Sequence, residues 1–479
     1  ICDDCFEGFA LPHDSIIPDV NPWSIEGRLP YTYYDPNVEL GKSLLDDAGF
    51  EDVDDDGFRE APDGSSFQVK IECYLDDTAL QVGDMTADAL SALGINAVSV
   101  PTDYYDYLPR LVYHGDYDIV FFEATFTNYD IDGLGHHFLS ENADVPYLNL
   151  FNFKNTTVDI WAKKLIYATT FDEVQEASDE LQKLLVYECP AIVCYQKFFV
   201  NAYRNDRFEG FIDIQSNNWW TYFNVKLRAS FGGHYSGTIR CGLYDISTLN
   251  LLGSATGSEW EIFNLLYDSL IKLDPDNIDL NWLCENYTVQ THEDNPNVPD
   301  GRSKITFEIV QNATWTDGYP LTADDIAFTM NFRKNIEGSA YGEDFDGVEV
   351  AYAPTPYLVV VEFSTESIWN LHDISYKPIL PKHIFQEIDV DDWEEWNPAP
   401  PDEPMVTSGP FNITEYIHGE FIEMTRFDDY FRGLDYTSQT NTTETQDYGR
   451  IMSGVLMGTI SAVVTVITGV YILRKKEKA

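Results

Sequence analysis

The sequence has few basic residues, because only 29 Lys and Arg stand against 81 Asp and Glu. The formal net charge of −52 argues against nucleic-acid binding, since the protein would repel phosphate groups rather than neutralise them. We therefore predict no nucleic-acid partner and a solvated acidic surface that keeps the protein soluble. Core-forming residues are plentiful: 44% of the 479 residues are hydrophobic and 14% are aromatic, which suffices for two or three packed domains.

Cysteine is also scarce, with seven residues scattered along the chain. This number and spacing do not form a disulfide framework. Cys189 and Cys194, which bracket the sequence PAIV, can pair if their geometry allows it. Cys2 and Cys5 form a lone C-x-x-C without a second pair, which argues against a zinc or redox site there.

Short motifs typical of several enzyme classes are missing. The chain contains no H-E-x-x-H, no G-x-S-x-G, no P-loop and no G-x-G-x-x-G. We therefore predict that the protein is not an enzyme and uses no cofactor. The paired carboxylates of a glycoside hydrolase remain an open alternative in so acidic a chain.

An aspartate-rich stretch imitates the opening of a calcium-binding EF-hand loop. Asp52, Asp54 and Asp56 precede a glycine at the expected spacing, but the final ligand position carries Asp63 instead of glutamate. A helical pattern ends before the loop, and residues 67–75 alternate between apolar and polar after it, which is typical of a strand. Because an EF-hand requires a second helix, we predict a helix-to-strand turn without a metal; a structural calcium bound by the turn is the open alternative.

One segment contains no charged residue at all. Residues 451–473 are apolar over a length that suits a bilayer core of about 30 Å, which predicts a transmembrane helix. The basic tail 474–479 places the C-terminus in the cytoplasm, and the polar residues 434–450 are expected to form a stalk. The acidic region is therefore expected outside the cell. Five Asn-x-Ser/Thr sequons agree with this location and predict a glycoprotein: Asn155, Asn286, Asn312, Asn412 and Asn441.

Helical and strand patterns alternate through the first half of the chain. Strand patterns over residues 67–75 and 95–100 flank a helical pattern, an order that is typical of α/β folds. Glycines in ASFGGHYSGTIRCGL predict a junction near Gly232. The globular part is therefore divided into regions 1–232 and 233–433.

The sequence KITFEIVQNATWTDGYPLTADDIAFTM resembles the signature of the family 5 extracellular solute-binding proteins, the receptors of ABC importers. LLYDSLIKLDPD, ILPKHIF and SGPF resemble other stretches from the N-terminal half of that family, and they follow its order. Earlier stretches, including YDPNVELGKSLLDDAGFEDVDDDGFRE and GDYDIVFF, instead resemble the C-terminal half. The resemblance therefore implies a two-lobed, type II periplasmic-binding-protein-like α/β fold that is partial or permuted.

Two explanations of this inverted order are open. The chain is either a fragment of a longer tandem receptor or a permuted single receptor whose lobes reassemble. We favour the fragment, because a family segment after residue 433 and an initiator methionine are both missing.

The resemblance implies a membrane-anchored receptor that captures peptides or oligosaccharides by lobe closure and delivers them to ABC transporter permease subunits. The main competing function is a cell-surface structural or interaction protein that binds no solute. A glycoside hydrolase is the third alternative.

The resemblance also implies two groups of ligand-binding residues. The sequence SATGSEW aligns with the family stretch whose backbone pairs with a peptide, which puts Ala255, Thr256 and Gly257 at the ligand with Trp260 behind them. The alternative is a helix start without any ligand contact.

The second group lies in NYDIDGLGHHF, where peptide receptors of this family have an aspartate that pairs with the ligand's amino group. Asp130 is the predicted residue, with Asn128 and Asp132 as competing alignments. A solvated acidic loop is an equally open interpretation. His136 and His137 are adjacent and their side chains diverge, so we predict no metal there.

Overall fold

The computed structural model describes residues 1–432 with several gaps. The gaps are 20, 31–36, 104–105, 107–108, 112–114, 122–129, 146–147, 199–201, 213–218, 234, 236, 244–245, 255, 276–278, 337–338, 340 and 401–404. The chain divides into two compact units, Ile1–Asn201 and Ala202–Ala479. The change between family halves near Gly232 remains a prediction.

The first unit combines helices with short strands. Its helices are α1 (Cys2–Phe6), α2 (Val38–Asp47), α3 (Asp77–Ala92), α4 (Asp132–Phe138), α5 (Thr156–Ile166) and α6 (Phe171–Glu188). Its strands are β1 (Ala10–Leu11), β2 (Val69–Cys73), β3 (Ala97–Pro101), β4 (Ile119–Val120) and β5 (Gln196–Lys197).

A parallel sheet in the order β3-β2-β4 forms the centre of this unit. Helix α3 connects β2 to β3, and Asp76 caps its start by accepting hydrogen bonds from the N–H groups of Thr78 and Ala79. Ile71 and Cys73 on β2 are buried against the apolar face of α3. The predicted strand–helix–strand order is therefore confirmed.

The long helix α6 packs on α5 through residues spaced by three or four positions. Gln182 lies on this face, is fully buried, accepts a hydrogen bond from the Ser15 hydroxyl at 2.8 Å and donates to the Trp23 carbonyl at 2.8 Å. These bonds tie the first residues of the chain to α6 across a wide sequence separation.

The second unit is also mixed α/β. Its helices are α7 (Trp219–Asn224), α8 (Gly257–Leu266), α9 (Ala323–Lys334), α10 (Asn370–Ser375) and α11 (Lys382–Phe385). Its strands are β6 (Phe208–Glu209), β7 (Lys226–Leu227), β8 (Ile271–Leu273), β9 (Asp279–Asn281), β10 (Cys284–Gln290), β11 (Ser303–Ile309), β12 (Val348–Thr355), β13 (Leu358–Phe363), β14 (Phe411–Ile417) and β15 (Phe421–Arg426).

An antiparallel sheet in the order β10-β11-β13-β12 supports helix α9. Alternate residues of β11, namely Ile305, Phe307 and Ile309, are buried in the main core of this unit. The start of α9 has a capping box, in which the Asp325 carboxylate accepts a hydrogen bond from the Thr322 N–H at 2.9 Å. The family-like signature thus forms one strand, one turn and one helix of this core.

Gly409 brings the segment before β14 against the end of α8. Its N–H donates to the Leu266 carbonyl at 2.7 Å, and a Cβ atom at this position would lie 2.4 Å from the Leu265 carbonyl oxygen. Only glycine fits so close to another backbone. This contact explains the glycine of the SGPF motif and fixes the C-terminal end of α8.

The described helices include none that is both long enough and apolar enough to cross a membrane. The predicted transmembrane helix 451–473 and the stalk 434–450 lie outside the described residues. Both remain predictions.

Candidate functional site

The start of α8 is exposed and contains two of the predicted ligand-binding residues. Thr256 is extended and caps the helix, with its hydroxyl accepting a hydrogen bond from the Glu259 N–H at 3.4 Å. A Cβ added to Gly257 would meet no atom within 4 Å, so its backbone is open to approach. The first N–H groups of a helix lack intrahelical acceptors and can donate to a ligand. Ala255 lies outside the described residues.

Glu259 holds the segment before α8 in place. Its buried carboxylate accepts hydrogen bonds from the Ser247 N–H at 2.8 Å, the Ser247 hydroxyl at 2.6 Å, the Thr248 N–H at 3.0 Å and the Ser254 hydroxyl at 2.7 Å. Burial acts to raise the pKa of Glu259, but the hydrogen bonds from Ser247, Ser254 and Thr248 outweigh it and hold the pKa below its usual range. Sequence reasoning missed this residue, although the spacing T-x-x-E from Thr256 was a signal.

Trp260 packs directly behind the exposed helix start. Its indole N–H donates to the Ser254 carbonyl at 3.2 Å, and its ring meets the Tyr341 ring edge-on at a centroid distance of 5.2 Å. Lys377 places its ammonium 4.5 Å from the Tyr341 ring centroid and pairs with Asp344. Burial acts to lower the pKa of Lys377, but Asp344 outweighs it and raises that pKa. The cluster therefore keeps a positive charge beside an aromatic ring.

Tyr341 is a second residue that sequence reasoning missed. It is 38% exposed and adopts φ of +58°, a left-handed conformation that is uncommon for a bulky residue. Such backbone strain often accompanies functional positions. No pattern in the sequence marks it, because its conformation depends on the packing around Trp260 and Lys377.

Asp130 lies in the first unit, half-buried and two residues before the start of helix α4. The competing Asp132 is the first residue of α4, and the competing Asn128 lies outside the described residues. The Nδ1 atom of His137 is 3.1 Å from the Leu148 carbonyl oxygen, a structural contact of the helix. Since Asp130 and Gly257 belong to different units, a shared cleft remains a prediction.

The aspartate-rich turn brings three carboxylates together between α2 and β2. Among the described residues, the group formed by Asp52, Asp54 and Glu60 has carboxylate oxygens within 4.8 Å of one another. Asp52 accepts a hydrogen bond from the Gly57 N–H at 2.9 Å, and the buried Glu60 accepts one from the Val53 N–H at 2.9 Å. The predicted helix-to-strand connection is confirmed, and backbone hydrogen bonds hold the turn.

A buried charge pair lies at the other end of α8. Asp268 is fully buried and accepts hydrogen bonds from the Trp282 indole N–H at 2.7 Å and the Tyr430 hydroxyl at 3.0 Å. The Lys272 ammonium forms a salt bridge with the same carboxylate at 3.4 Å. Burial raises the pKa of Asp268 and lowers the pKa of Lys272. Because this network is enclosed in the core, we interpret it as structural.

The chain matches a family profile over more than half its length. The profile is that of the bacterial extracellular solute-binding proteins, family 5 Middle, and it matches residues 1–145 and 282–478. The chain belongs to this family. The resemblance carried by the signature motif is thereby confirmed, and solute-binding relatives fit the prediction of a non-enzyme.

Two curated relatives are similar to this chain over part of their length. The oligopeptide-binding protein AppA of Bacillus subtilis (strain 168) is 29% identical over 194 residues, which are 39% of this chain and 33% of AppA. The peptidoglycan-binding protein YepA of Agrobacterium fabrum is 34% identical over 134 residues, which are 28% of this chain and 21% of YepA. The chain spans a third or less of the length of these relatives.

Solved structures of two oligopeptide-binding proteins also match in part. The AppA structure from Bacillus subtilis with a nonapeptide has a TM-score of 0.34 and 26% identity, covering 40% of this chain and 36% of that chain. The mannohexaose-bound oligopeptide-binding protein of Thermotoga maritima has a TM-score of 0.39 and 20% identity, covering 47% of this chain and 46% of that chain.

The two predicted ligand-binding groups differ in their relation to the family 5 match. Asp130 lies within the first matched range, whereas Thr256, Gly257 and Trp260 lie between the two matched ranges. Their roles in binding remain predictions that rest on the resemblance to family 5.

Proposed function

We propose that this chain is the extracellular ligand-capturing component of an ABC importer and that it binds peptides or oligosaccharides. The observation that carries the proposal is membership of family 5. The relatives' names support a peptide as the first ligand to test, since one is an oligopeptide-binding protein.

The start of α8 offers suitable chemistry for an extended peptide. Thr256 and Gly257 present backbone groups that are exposed and sterically open, so a ligand main chain can pair with them. Glu259 and Trp260 hold this segment from the buried side. An ordered backbone reduces the entropy lost on binding, which favours affinity.

Asp130 is proposed to neutralise the ligand's terminal ammonium group. A desolvated ammonium requires a charge-assisted acceptor, and a carboxylate provides one. Segment 451–473 is proposed to hold the receptor at the membrane, with the tail 474–479 in the cytoplasm and permease subunits as partners.

A thermal-shift screen of the whole globular region with peptides and oligosaccharides tests the proposal, because a ligand that binds only the folded state raises the melting temperature. A hit should be bound without being cleaved, as checked by mass spectrometry of the ligand. Hydrolysis of the ligand would favour a glycoside hydrolase or peptidase, and the absence of any hit would favour a surface protein without solute binding.

Variants in both units locate the binding site. Asp130→Asn should weaken a peptide hit by at least tenfold, whereas the matched control Asp88→Asn, at an exposed aspartate of helix α3, should not. A loss caused by Asp132→Asn instead would favour the competing alignment. Gly257→Trp should block the exposed α8 start without entering the core. If variants from both units weaken the same ligand, the chain forms one permuted receptor. If only one unit matters, the fragment interpretation stands.

The membrane topology has a separate test. Protease added to intact cells should remove the acidic region and leave the C-terminal tail protected. Detergent-lysed cells provide the control, in which the tail is also degraded. Protection of the entire chain in intact cells would contradict an extracellular location.

A further inference from the structure

The N-terminal helix α1 packs against the segment that joins α6 to β5. The rings of Phe6 and Tyr195 lie 4.6 Å apart at their centroids. Strand β1 then pairs antiparallel with β5, with Ala10 opposite Lys197. These contacts within the first unit hold two segments together that are far apart in sequence.

Each of the two segments carries a cysteine beside this aromatic contact. Cys2 precedes Phe6 by four residues on α1, so both side chains lie on one helix face. Cys194 directly precedes Tyr195, the residue that Phe6 contacts. Burial raises the pKa of Cys194, and the negative charge of a Cys2 thiolate acts in the same direction.

The other cysteines near this position have different surroundings. Cys5 points to α3, where its thiol lies 3.6 Å from the Met85 sulfur. Cys189 ends helix α6 in a left-handed conformation with φ of +56°, and it is exposed. All seven cysteines are free thiols in the structure, including Cys189 and Cys194, whose pairing the sequence left open.

We propose that Cys2 and Cys194 form a disulfide under oxidising conditions and thereby lock α1 onto the segment before β5. The Cys2 thiolate attacks oxidised glutathione and releases one glutathione thiolate, which leaves a mixed disulfide on Cys2. The Cys194 thiolate then attacks the Cys2 sulfur and releases the second glutathione. Two protein thiols are oxidised, one glutathione disulfide is reduced to two glutathione molecules, and the thiol protons pass to solvent and glutathione.

Peptide mapping tests this pairing against its competitors. The full chain is incubated in a buffer of reduced and oxidised glutathione, alkylated, and digested with a protease that cleaves before aspartate. Asp3 and Asp4 lie between Cys2 and Cys5, so this digestion separates the two cysteines. The expected product joins the peptide that ends at Cys2 to the peptide 179–205, which contains both Cys189 and Cys194. Fragmentation of this product by mass spectrometry should place the cross-link on Cys194 and the alkyl group on Cys189.

Variants provide the matched controls. Cys2→Ser and Cys194→Ser should each abolish the cross-link and the rise in melting temperature caused by the oxidising buffer. Cys5→Ser and Cys189→Ser should retain both. The proposal is overturned if Cys194 pairs with Cys5 or Cys189. It is also overturned if Cys194 is still a free thiol after oxidation of the folded chain and is therefore alkylated.

Discussion

Glu259 should be the most sensitive polar position near the proposed ligand-binding segment. Glu259→Ala removes one buried carboxylate that accepts four hydrogen bonds, three from Ser247 and Thr248 and one from Ser254. A hydrogen bond to a charged group contributes about 1.5–3 kcal/mol, and such contributions are not additive. Ser247 is exposed and can be rehydrated, whereas Ser254 is fully buried. We therefore expect a loss of about 2–4 kcal/mol in the free energy of unfolding.

Glu259→Gln should cost less, about 1–2 kcal/mol, because the amide retains one oxygen acceptor and its NH₂ group can donate to Ser254. The wild-type and Gln proteins should also differ in their response to pH. The pKa of Glu259 is lower in the folded state, so its carboxylate stabilises the protein above the ordinary glutamate pKa, and this contribution is lost as the pH falls through the folded-state pKa. The Gln variant should lose less stability below about pH 4.5 than the wild type does.

Urea denaturation followed by tryptophan fluorescence measures both effects. Glu293→Gln is the matched control, since Glu293 is an exposed glutamate in the same unit and should change stability by less than about 0.5 kcal/mol. If Glu259→Ala unfolds at the same urea concentration as the control, the carboxylate does not order this segment. Equal acid sensitivity of the Gln variant and the wild type would contradict the role of the ionised form.

Three further predictions concern stability. Asp268→Ala should cost about 3–5 kcal/mol in urea denaturation, because it leaves the Lys272 ammonium buried without its carboxylate; a loss below about 1 kcal/mol would show that the pair is hydrated. Gly409→Ala should lower stability by about 3 kcal/mol, since its Cβ would clash with backbone, whereas Gly257→Ala should change thermal unfolding little; equal effects would refute this packing. Millimolar calcium should raise the melting temperature no more than magnesium does, because the loop has Asp63 in place of the bidentate glutamate that completes a calcium site; a calcium-specific rise that Asp52→Asn abolishes would reveal a metal site.

Local sequence patterns were sufficient to predict individual elements. The helical pattern after residues 67–75 corresponds to α3, although its start at Asp77 and its Asp76 cap were not predicted. The alternation around Ile71 predicts β2, since side-chain direction in a strand depends only on position along it. Family membership was likewise evident from contiguous motifs.

Tertiary structure decided which distant residues meet. Glu259 reaches Ser247 only because the chain turns back on itself, and the segment that contains Cys194 meets helix α1 only through the packing of Phe6 on Tyr195. Gly409 could be recognised in the sequence as part of the SGPF motif. The sequence did not show why glycine is required there, which is that a Cβ atom would lie 2.4 Å from the Leu265 carbonyl oxygen. Short-range hydrogen bonds and side-chain periodicity depend on residues that are neighbours in the sequence. Contacts across a core depend instead on how the helices and sheets pack, and the distance between two such residues cannot be derived from a local sequence pattern.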